Sequence, residues 1–492
     1  MLTPQGLMML NRRRFLRDAG TSACGFGLLP LLAADGLLAA PDHAPFQPAI
    51  DPIRPNSARP SQHPAKASQL LILYCAGGVS HVDAWDYKPE LERHHGKDAP
   101  NAPAVTFMGP VGQLARPFWK FRPRGESGKQ VSDLFPHLAQ LADELCFIHS
   151  LKAVNSAHTQ AENFLSTGFI AEGYPSLGSW TTYALGTPNE NLPAFVSLAD
   201  PRGMTEAGPN NWGSGFLPAT FQGTSFNASA APRNLFPPSC ISPSEDLETR
   251  RLLAQFNDLH ASRHPGDAAF AARIASYELA GRLQLSIPSL MDFRTETMSL
   301  QDEYGIHSSD ETKAAFARNC LLARRLLESG VRVVQLFNGA SNNGGTTNWD
   351  SHSQLKQKHG ARAEVFDQPA AALLVDLKRR GLLENTLVLF CTEFGRMPFT
   401  QANGSGRDHN IDGFTCWLAG AGVKRAFSFG STDELGWKAV ENVATVYDLN
   451  ATVLHLMGFN HEQLTFRHNG ADRRLTDVHG RVLSELLAAG NG

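Results

Sequence analysis

The sequence has few of the features that mark a metal–thiolate, nucleic-acid-binding or membrane-spanning protein. Its seven cysteines include no Cys-x-x-Cys pair, so neither a zinc–thiolate nor a redox motif is present. The formal net charge is −3 and no basic cluster occurs beyond the N-terminus, which excludes nucleic acid as an expected partner. The apolar stretch at residues 24–34 is too short and too interrupted for a stable membrane span. Its 492 residues, 42% of them hydrophobic, suffice for one large α/β domain with insertions or two smaller domains.

The N-terminus carries a pattern typical of an export signal. Residues 11–17 have the sequence Asn-Arg-Arg-Arg-Phe-Leu-Arg and resemble a twin-arginine motif. The apolar stretch and then small residues at 38–40 follow in the order of a signal peptide. We therefore predict a twin-arginine signal peptide over residues 1–40, the twin-arginine export machinery as a partner, and a periplasmic or secreted location. A basic amphipathic first helix is the alternative. Residues 41–68 hold seven prolines and are predicted to be a linker.

Short apolar runs separated by helical patterns indicate the fold. Such runs are typical of buried parallel strands, and they occupy residues 69–75, 145–149, 194–198, 331–337, 386–391 and 414–418. The clearest helix is predicted over residues 368–380, with Gly381 as its C-cap. This alternation predicts an α/β fold with a doubly wound, mostly parallel sheet over residues 69–488 and a helical insertion at about 245–329. Residues 201–240, rich in Gly, Pro, Asn and Trp, are predicted to form a long ordered surface loop.

Charged side chains follow the fifth of these predicted strands. The strand leads into Glu393 and Arg396, and a glycine-rich loop then delivers Arg407, Asp408 and His409. In an α/β sheet, ligands bind outside the carboxyl ends of the strands. Arginine suits a bidentate grip on phosphate, sulfate or carboxylate, while His, Asp and Glu serve as metal ligands or acid–base groups. A structural ion pair between Glu393 and Arg396 is the alternative interpretation.

Two further loops at predicted strand ends carry carboxylate and imidazole groups. Paired glycines after the first strand precede His81 and Asp83. Asp350 and His352 lie two residues apart in the loop after the 331–337 strand. Divalent-cation sites need oxygen and imidazole donors held on constrained loops. For each loop the alternative is a polar turn capped by its aspartates.

The second predicted strand leads into a helix that begins at Ser156 or His158. A nucleophile at a helix N-terminus benefits from backbone N–H groups and the helix dipole, which favour an incoming anion. His158 and Thr159 are the candidates, and a simple N-cap is the alternative. At least four strand ends thus deliver His or carboxylate groups, which random surface placement would not favour.

Eight short motifs occur along the chain between roughly residues 66 and 488, and they lie at residues 77–83, 86–89, 174–180, 191–196, 349–352, 393–396, 406–409 and 474–480. Together they resemble one family, the domain of unknown function 1501 family, whose layout is similar to that of the alkaline phosphatase and sulfatase superfamily.

The wider resemblance implies a site that holds one or two metals and cleaves phosphate or sulfate esters through a covalent intermediate. It places His158 where sulfatases carry their modified Cys or Ser. The sequence departs from that superfamily at two places: Glu393-Phe394 stands in place of an Asp-His pair, and Gly77-Gly78 occupies the usual place of the first acid. The sulfatase signature Cys-x-Pro-x-Arg is absent from the chain.

These observations predict an exported metal-dependent hydrolase of phosphate or sulfate esters, acting on a small-molecule or glycan ester. The predicted cofactor is zinc, calcium or manganese, and the predicted metal ligands are His81, Asp83, Asp350, His352, Glu393, Asp408 and His409. The predicted catalytic residues are His158, Thr159, Arg396 and Arg407. The alternative is a non-catalytic exported protein that binds a glycan or an anion on a degenerate hydrolase fold. A third hypothesis, suggested by the loop at 201–225, is a cell-surface assembly protein.

Overall fold

A computed structural model describes most of the chain after the predicted signal peptide, which itself lies outside the described residues. The described residues are 44–51, 54–99, 101–229, 240–264, 273–274, 277, 286–341, 347–401 and 404–488. Gln47–Gly492 forms one compact unit. No helix in the described part combines the length and apolar character needed to cross a bilayer.

Nineteen strands occur in the described residues. They are β1 (Gln69–Cys75), β2 (Val105–Thr106), β3 (Gly109–Leu114), β4 (Phe121–Arg124), β5 (Lys129–Ser132), β6 (Cys146–Lys152), β7 (Phe195–Leu198), β8 (Thr224–Phe226), β9 (Val333–Asn338), β10 (Thr386–Cys391), β11 (Gly395–Gln401), β12 (Arg407–Asn410), β13 (Phe414–Gly420), β14 (Phe427–Phe429), β15 (Ser431–Thr432), β16 (Ala439–Glu441), β17 (Ala444–Thr445), β18 (Phe466–His468) and β19 (Ala471–Arg473).

The α-helices of the described residues are α1 (His81–Ala84), α2 (Pro89–Arg93), α3 (His158–Thr167), α4 (Leu177–Leu185), α5 (Pro243–Arg263), α6 (Met298–Tyr304), α7 (Glu311–Glu328), α8 (Leu355–Arg379) and α9 (Val446–Leu456). Short 3-10 helices occur at Leu138–Glu144, Gly208–Trp212, Ala219–Phe221, Phe293–Thr295, Leu382–Glu384 and Ser484–Leu486.

A large central sheet organises the domain. Its strand order is β14-β6-β13-β10-β1-β9-β7-β8, and β17 also pairs with β6. Neighbouring strands are parallel except at β13, which is antiparallel to both β10 and β6. The predicted α/β class with a mostly parallel sheet is therefore confirmed.

Helices cover both faces of this sheet. On β1, Leu71 and Leu73 face one way and join a core that includes buried side chains of α7 and α8. The alternate residues Ile72 and Tyr74 face the other way, toward side chains of α3, α4 and α9. A strand buried on both faces has an apolar residue at nearly every position, which explains why residues 69–75 form a continuous apolar run. Because α7 belongs to this core, the last part of the predicted helical insertion is a layer of the main domain.

The strand predicted over residues 414–418 forms as β13, but the expectation that it runs parallel is wrong. A parallel neighbour needs a crossover connection of a dozen or more residues, usually a helix. Here the chain leaves β10, forms β11 and β12 without an intervening helix, and enters β13 directly. The chain therefore re-enters the sheet at the end where β10 finished. A strand that starts there must run in the opposite direction to β10.

Two other boundaries differ from the predictions. The helix predicted over residues 368–380 is the second half of α8, which begins at Leu355 and contains Pro369 in its interior. Part of the predicted linker is packed on the domain, because Arg59 donates hydrogen bonds to the carbonyl oxygens of Thr182, Tyr183 and Ala184 at the end of α4.

A second sheet lies beside the carboxyl ends of the central strands. Its order is β12-β11-β3-β2, and its pairs are antiparallel. The register of β11 and β12 places Arg396 opposite His409. β12 and β2 are the two edge strands of this sheet, but residue 106 of the β2–β3 hairpin still reaches β12, because Thr106 Oγ1 donates to Oδ2 of Asp408.

Candidate functional site

Three segments that are distant in sequence bring together four side chains that could ligate a metal ion. His158 is the first residue of α3, Asp350 and His352 lie in the loop after β9, and His409 lies on β12. Within the described residues there are two sets of three side chains whose potential ligand atoms lie within 4.8 Å of one another. The first set is His158, Asp350 and His409, and the second is His352, Asp408 and His409.

The Nε2 atoms of three imidazoles face the same carboxylate oxygen. Oδ1 of Asp350 lies 2.8 Å from Nε2 of His352, 3.2 Å from Nε2 of His409 and 3.5 Å from Nε2 of His158. The Nε2 atoms of His352 and His409 are themselves 3.0 Å apart. Three imidazole nitrogens therefore converge on one carboxylate oxygen.

Two of these imidazoles, those of His158 and His409, have Nδ1 at hydrogen-bond distance from an acceptor. Nδ1 of His158 lies 2.8 Å from Oε1 of Glu393, and Nδ1 of His409 lies 2.6 Å from the carbonyl oxygen of Ser156. Nδ1 of His352 lies 3.7 Å from Oδ1 of Asp408, beyond hydrogen-bond distance. In a neutral ring, an acceptor at Nδ1 holds the single ring proton there and leaves the lone pair on Nε2, which is the arrangement found in metal-binding histidines.

The charges at this site follow from burial and from these neighbours. Burial lowers the pKa of His409 to about 3, so this ring is neutral at physiological pH. Although burial disfavours its charged form, the carboxylates of Asp350 and Glu393 raise the pKa of His158 to about 10. Burial also opposes ionisation of Asp350, but Arg396 and the imidazoles hold the pKa of Asp350 well below its usual range. The protein thus keeps an ionised carboxylate beside a neutral imidazole.

Arg396 is fully buried and holds Asp350 in place. Its Nη2 lies 2.8 Å from Oδ1 of Asp350 and also donates to the carbonyl oxygen of Gly77. Nε donates to the carbonyl oxygen of Gly78 at 2.8 Å, and Nη1 donates to that of Arg407 at 3.2 Å. The sequence predicts that Arg396 binds an anion directly. The geometry instead favours a positioning role, because these donors already have protein partners.

Glu393 contacts a histidine and a backbone N–H group. Its Oε1 accepts a hydrogen bond from Gly77 N at 2.7 Å and lies against Nδ1 of His158. Gly77 has a φ of +109°, and a Cβ there would lie 2.6 Å from the backbone nitrogen of Trp349. Glycine at this position therefore allows the loop after β1 to approach both Glu393 and the turn that carries Asp350.

Asp83 and Arg407, predicted as a metal ligand and an anion-binding residue, form a buried ion pair. Nε of Arg407 donates to Oδ2 of Asp83 at 2.9 Å, and both side chains are fully buried. Oδ1 of Asp83 accepts from the backbone N–H of Phe118 at 2.7 Å. The remaining Arg407 donors reach carbonyl oxygens of Ala115, Arg116, Met397 and Pro398. These bonds join the segments around the second sheet, and the geometry places the pair outside the metal-binding cluster.

The other predicted residues occupy three different environments. His81 is buried and its Nε2 lies 2.7 Å from the carbonyl oxygen of Gly436, away from both ligand sets. Oδ2 of Asp408 accepts from Thr106 Oγ1 at 2.5 Å and from the N–H of Met108 at 2.8 Å. Asp408 therefore joins the β2–β3 hairpin to the site. Thr159 is half-buried in the first turn of α3, next to His158.

Sequence reasoning missed the contribution of the β2–β3 hairpin. Thr106 and Met108 precede their partner Asp408 by about 300 residues, and no motif marks them. The ring of Phe107 stacks on that of His409 with a centroid distance of 5.2 Å. Phe394 packs on the same imidazole with a centroid distance of 4.3 Å.

The chain belongs to the family described as protein of unknown function DUF1501, whose model matches residues 67–487. No curated protein matches its sequence.

Solved structures show more distant likenesses. One is a protein in the alkaline phosphatase superfamily from Vibrio parahaemolyticus, with 11% identity, a TM-score of 0.34, and coverage of 85% of this chain and 73% of that one. Another is the lipoteichoic acid synthase LtaP from Listeria monocytogenes, with 11% identity, a TM-score of 0.34, and coverage of 86% and 79%. A third is the phosphonate monoester hydrolase from Silicibacter pomeroyi, with 11% identity, a TM-score of 0.35, and coverage of 73% of both chains. Likenesses this distant assign no role to any residue of this chain.

Proposed function

We propose that this protein is an exported, metal-dependent hydrolase of phosphate or sulfate esters with an alkaline-phosphatase- or sulfatase-like fold. One observation supports the metal centre: three imidazole Nε2 atoms lie 2.8 to 3.5 Å from Oδ1 of Asp350, and Nδ1 of the neutral His409 donates to the carbonyl oxygen of Ser156. A neutral imidazole lone pair beside an ionised carboxylate is repulsive by itself. A divalent cation bound by both groups removes that repulsion.

The distances at the cluster fit a metal ion. With bonds of about 2.0–2.1 Å, the ligand atoms of a tetrahedral zinc site lie about 3.3 Å apart. The Nε2 atoms of His158, His352 and His409 lie 2.8 to 3.5 Å from the Asp350 oxygen. These four residues would hold the metal, and Glu393 and the carbonyl oxygen of Ser156 would orient His158 and His409 through their Nδ1 atoms.

The donor types also narrow the choice of metal. Calcium prefers sites made of six to eight oxygen atoms, whereas imidazole nitrogen suits zinc and other transition metals. A cluster of three imidazoles and one carboxylate therefore favours zinc, or manganese, over calcium. When bound, such an ion supplies Lewis acidity at an ester oxygen and positive charge for an anionic substrate.

Residues of the chain supply the rest of the proposed chemistry. The N-terminus of α3 has no side-chain cap, so its first N–H groups are available to a tetrahedral anion. His158 is engaged with Glu393, so Thr159, the next residue, is the better candidate for the nucleophile. Arg396 acts through Asp350 as a positioning residue. The export part of the proposal is supported by the signal-like sequence over residues 1–40.

The second candidate function is a non-catalytic protein that binds a glycan or an anion. The observation that favours it is the engagement of Arg396 and Arg407 with carbonyl oxygens and carboxylates of the protein. Neither guanidinium is then available to stabilise charge on a reacting ester. This candidate predicts an anion complex without turnover.

The decisive experiment combines elemental analysis with an ester assay on the mature protein, purified without chelator. We expect about one or two equivalents of zinc or manganese, loss of the metal in His409→Ala, and retention in the control His307→Ala, whose imidazole lies at the surface beside Asp302. Hydrolysis of p-nitrophenyl phosphate or p-nitrophenyl sulfate by the metal-loaded protein would support the hydrolase. Metal without turnover would favour the binding protein, and failure to bind metal after reconstitution would contradict both the metal centre and the hydrolase.

A further inference from the structure

The tip of the β2–β3 hairpin is fixed against the candidate metal centre. Thr106 Oγ1 and the N–H of Met108 both donate to Oδ2 of Asp408, whose other oxygen accepts from the N–H of His409 at 2.7 Å. These bonds hold the residue between them, Phe107, with its ring stacked on the imidazole of His409 at an interplanar angle of 23°. Phe107 is therefore positioned by the same groups that orient the metal-binding residues.

The side chains at this tip are unusually exposed for their type. Val105, Phe107 and Met108 are 60%, 54% and 55% exposed, respectively. Removing apolar side chains from water lowers the free energy, so adjacent exposed apolar side chains form a surface that favours binding of an apolar group. This surface begins at the ring that contacts His409, and it is continuous with the candidate metal centre.

The charged groups around the cluster are not available to bind a ligand at this surface. Glu393, Asp408, Arg396 and Arg407 are all buried and bonded to protein atoms. A substrate whose anionic group lies at the metal centre would therefore place its organic group against Phe107 and its neighbours, with apolar rather than charged contacts.

We infer that Phe107 determines substrate specificity by binding an apolar, preferably aryl, group of the ester through its exposed ring. This inference rests on the proposed function, because it requires the anionic end of the substrate to lie at the metal centre. Val105 and Met108 would extend the apolar contact. An aromatic contact of this kind corresponds to a ~3- to 10-fold gain in affinity.

The test compares the affinities of two non-hydrolysable anions for the metal-loaded mature protein. Phenylphosphonate and methylphosphonate share the anionic group and differ in the organic group, and their affinities can be measured by calorimetry. We expect the wild-type protein to prefer phenylphosphonate by about tenfold and Phe107→Ala to reduce this preference to about twofold or less. Phe107→Leu, which keeps an apolar side chain against His409, should lie between them. The control Phe256→Ala removes an aromatic ring that is 60% exposed on α5 and should keep the wild-type preference.

The possible outcomes separate the inference from the proposed function. Equal affinity for the two phosphonates in the wild-type protein, or an unchanged preference in both Phe107 variants, would overturn the inference alone. Failure of the metal-loaded protein to bind either phosphonate would overturn the proposed anion site and this inference with it.

Discussion

Nε2 of His409 lies 3.2 Å from Oδ1 of Asp350, while Nδ1 of the same ring is directed at the carbonyl oxygen of Ser156, 2.6 Å away. The carbonyl accepts the only ring proton of a neutral imidazole, so Nε2 presents a lone pair to a carboxylate oxygen. This relationship between His409 and Asp350 is the main support for the proposed metal centre.

Removal of the metal should lower the thermal stability of the protein. A ligand that binds only the folded state stabilises it by about 2.7 kcal/mol when its free concentration is 100 times its Kd. We therefore expect a chelator to lower the Tm and zinc or manganese to restore it, as measured by calorimetry. An identical Tm for protein before and after complete chelation, with the metal content measured in both samples, would contradict a metal centre in the folded state.

Glu393→Gln should weaken metal binding without abolishing it. Oε1 of Glu393 lies against Nδ1 of His158, and loss of such an outer carboxylate typically lowers metal affinity about 10- to 100-fold. The control is Glu384→Gln at an exposed position, which should leave the affinity unchanged. Metal affinities can be measured by competition with a chromophoric chelator.

The same measurement distinguishes two roles for Glu393. A loss as complete as that of His158→Ala would make Glu393 itself a ligand, as the sequence predicts. An affinity equal to that of the wild-type protein would show that the contact with His158 has no effect on the metal.

Arg407→Leu should destabilise the protein severely. It leaves the carboxylate of Asp83 buried without its cationic partner, and breaking a buried ion pair in this way costs about 3–5 kcal/mol. The matched control is Arg93→Ala, which removes an exposed arginine paired with Glu90 and should change the free energy of unfolding by about 1 kcal/mol or less. Urea denaturation measures both. A stable Arg407→Leu variant that has lost anion binding would instead support the predicted direct role of Arg407 in the site.

Glu162 should make the stability of the protein depend on pH. Burial, together with the charge of Glu393, raises the pKa of Glu162 from 4.5 to about 7. The folded state therefore prefers the protonated form, and the stability that Glu162 contributes is fully present below about pH 4.5 and is lost as the pH rises through 7. A shift of this size corresponds to a change of the order of 3 kcal/mol.

Glu162→Gln should remove this dependence. The free energy of unfolding of the wild-type protein should fall relative to that of the variant between about pH 4.5 and 7. The difference between the two should stay constant above that range. Urea denaturation at several pH values measures it, with Glu384→Gln as the surface control. A difference that is independent of pH would contradict the raised pKa.

Much of the fold could be predicted from local patterns. The runs at residues 69–75 and 386–391 coincide with β1 and β10, because strands buried on both faces are apolar at nearly every position. The direction of β13 could not be predicted, since an apolar run has the same pattern in either direction. The start of α8 could not be predicted either. Proline usually marks a helix boundary, but Pro369 lies inside this helix.

The sequence by itself determined which residue types stand at the strand ends, and this was enough to select His158, Asp350, His352 and His409 as candidates. Only the tertiary structure decided what each does, because a role depends on which atom faces which neighbour. Asp83 and Glu393 are both carboxylates after strands, yet one is paired with a buried arginine and the other with an imidazole.

The hairpin tip at Phe107 shows the same limit. Its contact with His409 joins segments about 300 residues apart, and no local pattern records it. Hydrophobic periodicity arises from the burial of each element and is therefore present in the sequence. The partners of a polar atom are set by the packing of distant segments, so they appear only when the chain is folded.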